Sequence, residues 1–290
     1  MFVEFKRPFS IYAFRTALEY HWNEHFTFAG EAHDFWEIVY VISGTVEVTE
    51  DERIYRLTTG NMILHAPMEF HKIRSVEGTA PHVLIMTFFH TGELPASLKE
   101  GVFSLSVEEQ EEYEAIFRRI YSFYHKEDTG EYAGQECADG LSAFLIRLSH
   151  SHSAKEVLVH TRDALLYHKL IQVMTHHLYE NLSLEEIAAN LPISISYMKV
   201  LFRRYAGIGP KSYYSHLRCK EAIKLLQTGL SAAEISGIMN FSSPSYFSVF
   251  FKKMTGVPPA AYIRQTASQP MQSLNSFGAS PTCLLKQLEK

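Results

Sequence analysis

The 290-residue chain has only three cysteines, Cys137, Cys219 and Cys283, far apart and in no metal-binding spacing. That excludes a disulfide scaffold and a zinc–cysteine cluster, and it fits reduced thiols in a cytoplasmic protein. No run approaches the ~18 apolar residues that a membrane span needs. The opening Met1-Phe2-Val3-Glu4-Phe5-Lys6 lacks the charged-then-apolar layout of a secretory leader. No Ser/His/Asp or Cys/His arrangement suggests nucleophilic catalysis, and no glycine loop suggests phosphate binding. Neither a catalytic role nor a cofactor is expected.

What is present is ordinary globular material, 46% apolar and 20% charged, with its charge unevenly divided. Residues 1–160 carry 13 Lys and Arg against 25 Asp and Glu, whereas residues 161–266 carry 12 against 6. The net charge of −5 therefore hides a basic half. Such asymmetry suggests a polyanion-binding module joined to something else.

Residues 1–90 read as short strands. Glu37 to Ile42 is a β-branched run ended by Ser43-Gly44. Thr45 to Thr49 alternates with period two, and further turns fall at Asp51-Glu52 and Gly60-Asn61. Strands of this length and spacing predict a β-sandwich or barrel. Two helices should follow, near 107–125 and 134–150. Tyr113, Ile116, Phe117, Ile120, Tyr121 and Tyr124 keep helical spacing, as do Cys137, Leu141, Phe144, Leu145 and Leu148. The stretch Ser149-His150-Ser151-His152-Ser153 reads as a polar hinge, and Asp163 to Arg264 is helical throughout. The predicted units are residues 1–155, residues 160–266 and a loose tail over 267–290.

The helical half contains one pattern twice. Ser183-Leu184-Glu185-Glu186-Ile187-Ala188 recurs as Ser231-Ala232-Ala233-Glu234-Ile235-Ser236, offset by 48. Leu201-Phe202-Arg203-Arg204-Tyr205-Ala206-Gly207 recurs as Phe250-Phe251-Lys252-Lys253-Met254-Thr255-Gly256, offset by 49. The slip of one places an extra residue in the second inter-helix turn. Ser183 with Glu186, and Ser231 with Glu234, are capping boxes that each start a short helix. Ser194, and Ser242 or Ser243, can cap the helix that follows. Gly207 and Gly256 can stop it, and Pro210 and Pro259 suit the next first turn. Two short helices and a tight turn make a helix-turn-helix.

Each second helix divides into two stripes. In the first copy Met198, Leu201, Phe202 and Tyr205 face inward, while Ser196, Lys199, Val200 and Arg203, with Arg204 beside them, face out. In the second, Phe247, Phe250, Phe251 and Met254 face inward, and Ser245, Ser248, Val249 and Lys252, with Lys253, face out. Hydroxyls and cations on a capped helix suit base edges and phosphates, so these ten outward residues are the candidate DNA contacts. A connecting helix over 212–227 spans ~24 Å at ~1.5 Å per residue. It can hold both reading helices about one DNA turn apart, ~34 Å, on one side of a duplex.

From Asp163 to Gln265 these residues resemble the AraC family of bacterial transcription regulators. The stretch Asn240-Phe241-Ser242-Ser243-Pro244-Ser245-Tyr246-Phe247-Ser248, continuing to Gly256 and Pro259, resembles the family's most specific motif. The resemblance implies binding to double-stranded promoter DNA as a homodimer, work with RNA polymerase as an activator or a repressor, and control by a small-molecule effector, a sugar among the candidates. Asn240 stands where the family often has Gly; Asn tolerates a left-handed backbone, so the turn should survive. Val200 and Val249 stand where the family often has Arg.

Residues 30–71 resemble a cupin-type sensor. Glu31-Ala32-His33-Asp34-Phe35-Trp36-Glu37 with Gly44 is similar to the first cupin motif, and Gly60, Pro67 and His71 to the second. The resemblance implies a fold of two parts: an all-β cupin-like barrel with appended helices, then an all-α domain with two helix-turn-helix units. His33, Trp36, Glu37, Tyr40 and His71 become the candidate ligand-binding residues. Glu31 replaces the first metal-binding His, so no metal is expected. The helices near 107–125 and 134–150 are candidates for a dimer interface, or pack on the barrel. Two other readings stay open at this level: a metal-dependent cupin enzyme with a helical appendage, and a ligand-independent DNA-binding regulator.

Overall fold

The computed structural model describes residues 7–99, 101–151 and 161–268. Of the stretch read as a hinge, Ser149 to Ser151 are helical instead, continuing the helix that precedes them; its His152 and Ser153 lie outside the described residues, as do the tail beyond Ser268 and Cys283. Two antiparallel sheets form the first half. One has five strands, in the order β1 (Phe9–His21), β7 (His82–Gly92), β2 (Trp36–Ser43), β5 (Asn61–His65) and β8 (Val102–Ser104). The other has three, in the order β4 (Arg53–Thr58), β3 (Thr45–Glu50) and β6 (His71–Ser75). Gly44, at φ +83°, takes the chain from β2 in one sheet to β3 in the other. A side chain there would also strike Pro81.

The expected barrel is not formed. Closure needs every edge strand to pair in a continuous staggered register. Here β1 and β8 end one sheet, β4 and β6 end the other, and no ladder joins the two among the described residues. The sheets stack face to face instead, with Val39, Val41, Val46, Val48, Tyr55, Leu57 and Ile63 packed between them. Short strands with frequent turns suit either arrangement, which is why residue pattern alone left both open.

Period-two alternation builds a second core on the other side of the larger sheet. Trp36, Ile38 and Tyr40 of β2 point away from their neighbours Glu37, Val39 and Val41, toward α1 (Val107–Tyr124) and α2 (Ala133–Ser151). Ser106 and Glu109 close a capping box at the start of α1. Both helices use their apolar stripes, Tyr113, Phe117 and Ile120 with Leu141, Phe144, Leu145 and Leu148, against this sheet. The apolar stripes of these two helices are therefore covered within the chain. Cys137 and Cys219 are buried free thiols.

The second half is helical: α3 (Arg162–His176), α4 (Leu184–Ala189), α5 (Ile195–Tyr205), α6 (Pro210–Gln227), α7 (Ala232–Ile238), α8 (Pro244–Thr255) and α9 (Pro259–Ser268). Both predicted capping boxes form, at Ser183 with Glu186 and Ser231 with Glu234. Gly207 and Gly256 are left-handed, and Asn240 takes φ +54° as its turn requires. The helix pairs α4–α5 and α7–α8 each enclose their own core, and α6 contributes to both.

The two halves meet along a seam. Ala32, Ile54 and Phe70 of the sandwich belong to the same core as Tyr167, Phe202, Tyr205 and Tyr213. Asp51 accepts a 2.7 Å ion-pair contact from Lys220, and its carbonyl accepts from the Tyr167 hydroxyl at 3.3 Å. Burial pulls the Lys220 pKa down, but Asp51 outweighs it and holds the ammonium above its ordinary value. The Lys72 ammonium donates to the carbonyls of Arg203 and Arg204, the exposed end of α5. Those carbonyls have no partner within the helix, so a cation there is well placed.

Gly207 sits at this seam with φ +74°, and a Cβ would lie 2.2 Å from the Ala29 carbonyl oxygen. Gly229 has a similar φ of +91° but open space around it. Gly229→Ala should cost about 1–2 kcal/mol of backbone strain alone. Gly207→Ala should cost at least ~1 kcal/mol more, because the seam must part. Chemical denaturation of both full-length variants checks this; equal losses would mean that the seam contact is absent.

Candidate nucleic-acid interface and ligand cavity

The reading helices are fixed at their N-termini by side-chain caps. Ser194 accepts from the Tyr197 N–H at 3.1 Å, and Ser243, rather than Ser242, accepts from the Tyr246 N–H at 3.1 Å. Inward, Met198, Leu201, Phe202 and Tyr205 are buried, as are Phe247 and Phe251, with Phe250 and Met254 half-buried. Outward, Ser196, Lys199, Val200, Arg203, Arg204, Ser245, Val249, Lys252 and Lys253 are exposed. Val200 and Val249 are 58% and 66% exposed, unusual for valine unless something covers them. Two residues are less free than their neighbours. Ser248 is half-buried and its hydroxyl donates to the Pro244 carbonyl at 2.9 Å. Arg204 pairs with Asp163 at 3.1 Å.

Between the two sheets lies a cavity of about 550 Å³, large enough for a small metabolite. One end is aromatic and aliphatic: Tyr20, Trp22, Phe26, Phe28, Val39, Ile73 and Ile85. Trp22 stacks on Phe26 with centroids 4.0 Å apart. The other end carries Arg15, Thr16, Glu31, Glu37, His65, His71 and Thr87. Tyr124, His125 and Lys126, at the end of α1 and just beyond it, form another part of the wall.

The polar end is crowded with buried ionisable groups. His33 Nε2 and His71 Nε2 stand 3.5 and 3.4 Å from the two oxygens of Glu37. Glu31 joins the group, and one ligand-capable atom from each of the four lies within 4.8 Å of the others. The sequence suggested no metal, yet this is a donor set a metal ion can use. Burial raises the Glu31 carboxyl to about 7. Burial also works to raise Glu37, but His71 and His33 outweigh it and hold the carboxyl well below its ordinary range. For His71 the balance is opposite: burial lowers it, Glu37 outweighs burial, and the ring is pushed up to about 9. Behind them His65 stacks on His71 at 4.3 Å and meets Glu50 at 3.0 Å. Burial, helped by the charge on His71, brings His65 down to about 3.

Comparison with known proteins agrees with this layout. A profile of the AraC-like ligand binding domain matches residues 14–149, and one of the helix-turn-helix domain matches residues 187–265. The chain belongs to the AraC family of transcription regulators. It is 36% identical over 103 residues to the uncharacterized HTH-type transcriptional regulator YidL of Escherichia coli K12, a match covering 35% of each chain. It is 34% identical over 98 residues to the regulatory protein PocR of Salmonella typhimurium, covering 33% of this chain and 32% of PocR. These matches span about a third of both relatives. The HTH-type transcriptional activator RhaR of Escherichia coli O139:H28 is 25% identical over 247 residues, covering 81% of this chain and 86% of RhaR.

Within this AraC-type ligand domain the sequence-predicted residues separate. Glu37 and His71 line the cavity, and His33 supports its polar end. Trp36 and Tyr40 do not line it. They lie on the opposite face of β2, where the Trp36 indole donates to His90 at 2.8 Å and the Tyr40 hydroxyl reaches Glu114 at 3.3 Å. Strand parity decides this, since Glu37 and Val39 face the cavity and their neighbours cannot. Parity also points to residues that motif spacing missed: Thr16, Leu18, Tyr20 and Trp22 alternate along and just past β1, and Ile85 and Thr87 along β7. His21, His25, His176 and His177 lie outside the cavity.

The cap on α8 is directly testable. Ser243→Ala should destabilise the chain by about 1 kcal/mol, whereas Ser242→Ala, with no cap bond to lose, should be close to neutral. Urea denaturation of the two variants distinguishes them, and the reverse order would reassign the cap.

Proposed function

We propose that the chain reads two neighbouring major-groove segments on one side of promoter DNA through α5 and α8. A small molecule in the sandwich cavity adjusts that reading. The observation that carries this is the repeated outward stripe, exposed at Ser196/Lys199/Val200/Arg203 and at Ser245/Val249/Lys252, with Ser248 half-buried among the latter, on two equivalently capped helices. Lysine and arginine supply phosphate attraction and guanine contacts, and the serine hydroxyls hydrogen-bond bases or phosphates. Exposed valine has no polar partner to seek, but its methyls suit the C5-methyl of thymine.

The cavity suits an effector with an apolar body and a hydrogen-bonding head, a sugar included. The aromatic end accepts ring or hydrocarbon faces, and the Arg15–Glu31–Glu37–His71 end accepts hydroxyls or charge. A route from cavity to DNA is supported by β6. His71 lines the cavity, while the next residue, Lys72, points to the other face and holds the end of α5. In this reading the protein works in the cytoplasm, and no described helix is long and apolar enough to cross a membrane. Homodimerisation and contact with RNA polymerase rest on the family resemblance alone.

Sites selected from random duplexes by the full-length chain should carry T·A pairs opposite Val200 and Val249. Fixed G·C at both positions would contradict the valine assignment. On such a site, Lys199→Ala and Lys252→Ala should each reduce the slope of log affinity against log salt by about 1 if the lysine contacts phosphate. Unchanged slopes in both variants would remove these lysines from the phosphate contacts.

A further inference from the structure

We propose that Glu19, His21 and His82 form a binding site for one divalent transition-metal ion, open to solvent at the end of the β1–β7 ladder. The case starts from strand register. His21 on β1 stands directly opposite His82 on β7. Beside this pair the Trp22 N–H donates to the Pro81 carbonyl at 2.9 Å. Hydrogen-bonded and non-hydrogen-bonded pairs alternate along an antiparallel ladder. His21 and His82 are therefore a non-hydrogen-bonded pair, the kind whose side chains approach most closely. Their rings stack with centroids 3.9 Å apart. Glu19 lies two residues before His21, on the same face of the sheet and diagonal to His82. Its Oε1 stands 2.7 Å from His82 Nε2.

Parity keeps this group clear of the effector cavity. Tyr20 and Trp22 turn inward to line it. Glu19, His21 and His82 turn to the opposite face, the one that packs on α1 and α2 at Ala17, Leu84 and Met86. At the end of the ladder that face is open: Glu19 and His21 are exposed and His82 is half-buried. β7 is paired on both sides, to β1 and to β2, so the backbone holds His82 firmly, while His21 stands on an edge strand. Backbone pairing has thus brought two imidazoles and a carboxylate to one solvent-facing spot.

Distances allow closure. One ligand-capable atom from each of the three lies within 4.8 Å of the others. Ligands about 2.1 Å from one ion stand at most about 4.2 Å apart, a gap that small rotations of exposed side chains close. The ion would stand where His82 now meets Glu19, and the two rings would open from their stack to direct one nitrogen each at it. Two imidazoles with one carboxylate suit zinc, nickel, copper or cobalt rather than calcium or magnesium. Water fills the remaining positions on the open side. A site this open imposes little geometry of its own, so affinity should climb from Mn2+ through Co2+ to Ni2+ and Cu2+. Bound there, the ion clasps β1 to β7 one residue before Trp22, which walls the aromatic end of the cavity. The site needs neither DNA nor effector, and its test uses neither.

The full-length chain, stripped with chelator, should take up Ni2+ by calorimetry and melt at a higher temperature when loaded. His21→Asn and His82→Asn should each cost the same one equivalent, and Glu19→Gln should weaken that equivalent about tenfold or more. His25→Asn, at an exposed histidine outside the group, should change nothing. Counting the equivalent lost separates this site from any uptake by the buried Glu31, His33, Glu37 and His71. Carbethoxylation of the wild-type chain, mapped by mass spectrometry, needs no variant: Ni2+ should shield His21 and His82 and leave His25 reactive. Absence of Ni2+ uptake, equal uptake by the wild type and both histidine variants, loss in only one of those variants, or undiminished carbethoxylation of His21 in the loaded chain would overturn the proposal.

Discussion

Arg218 is the interaction on which the DNA-facing geometry depends. It sits in α6, 5% exposed, and its guanidinium reaches both helix pairs at once. Nε donates to the Leu178 carbonyl at 3.2 Å and Nη1 to Asn181 at 3.0 Å, just before the first pair. Nη2 donates to the Met239 carbonyl at the end of α7 in the second. Phe241 lies beneath the guanidinium at 4.4 Å. A buried cation is costly unless its donors are matched, and here protein oxygens on two sides match them. The residue thus makes the spacing of the two pairs a property of a rigid rod, α6, about 27 Å long at ~1.5 Å per residue.

The same helix binds the halves of the chain together, and it does so unequally. Tyr213 lies in the core shared with Phe70, and Lys220 meets Asp51. The first reading helix, α5, is therefore attached to the sandwich by packing, by the Lys72 contact and by the close approach of Gly207 to Ala29. The core of the second pair takes only Met68 from the sandwich among the described residues. An occupant of the cavity would touch His71 and act first on α5, through the adjoining Lys72. Two helices that look equivalent in sequence thus differ in how tightly the rest of the molecule holds them.

Much of this was legible from residues, because it rests on local chemistry. Capping boxes, left-handed glycines, the tolerance of Asn240 and the apolar stripes all act within a turn or two. Ser183 and Glu186 need no distant partner to start α4. The sandwich was harder. Whether short strands close into a barrel depends on which edges pair, a long-range property that spacing of Gly44 or Gly60 does not encode. Trp36 and Tyr40 were candidates for the cavity as aromatic side chains of the cupin-like stretch, although strand parity sends them the other way. The seam left no sequence signal: Lys72 reads as an ordinary strand lysine, and only the fold brings it to the end of α5. Glu31, His33, Glu37 and His71 were legible as motif spacing, but their burial as one packed group depends on the pairing of Glu31 with His71, which the spacing does not encode.

The central claim is that one rigid unit presents two reading helices to the same side of a duplex. Hydroxyl-radical footprinting of the full-length chain on a selected high-affinity site measures this directly. Two protected windows centred about 10 base pairs apart on one face of the helix are predicted. A single window, or two windows on opposite faces, would contradict it.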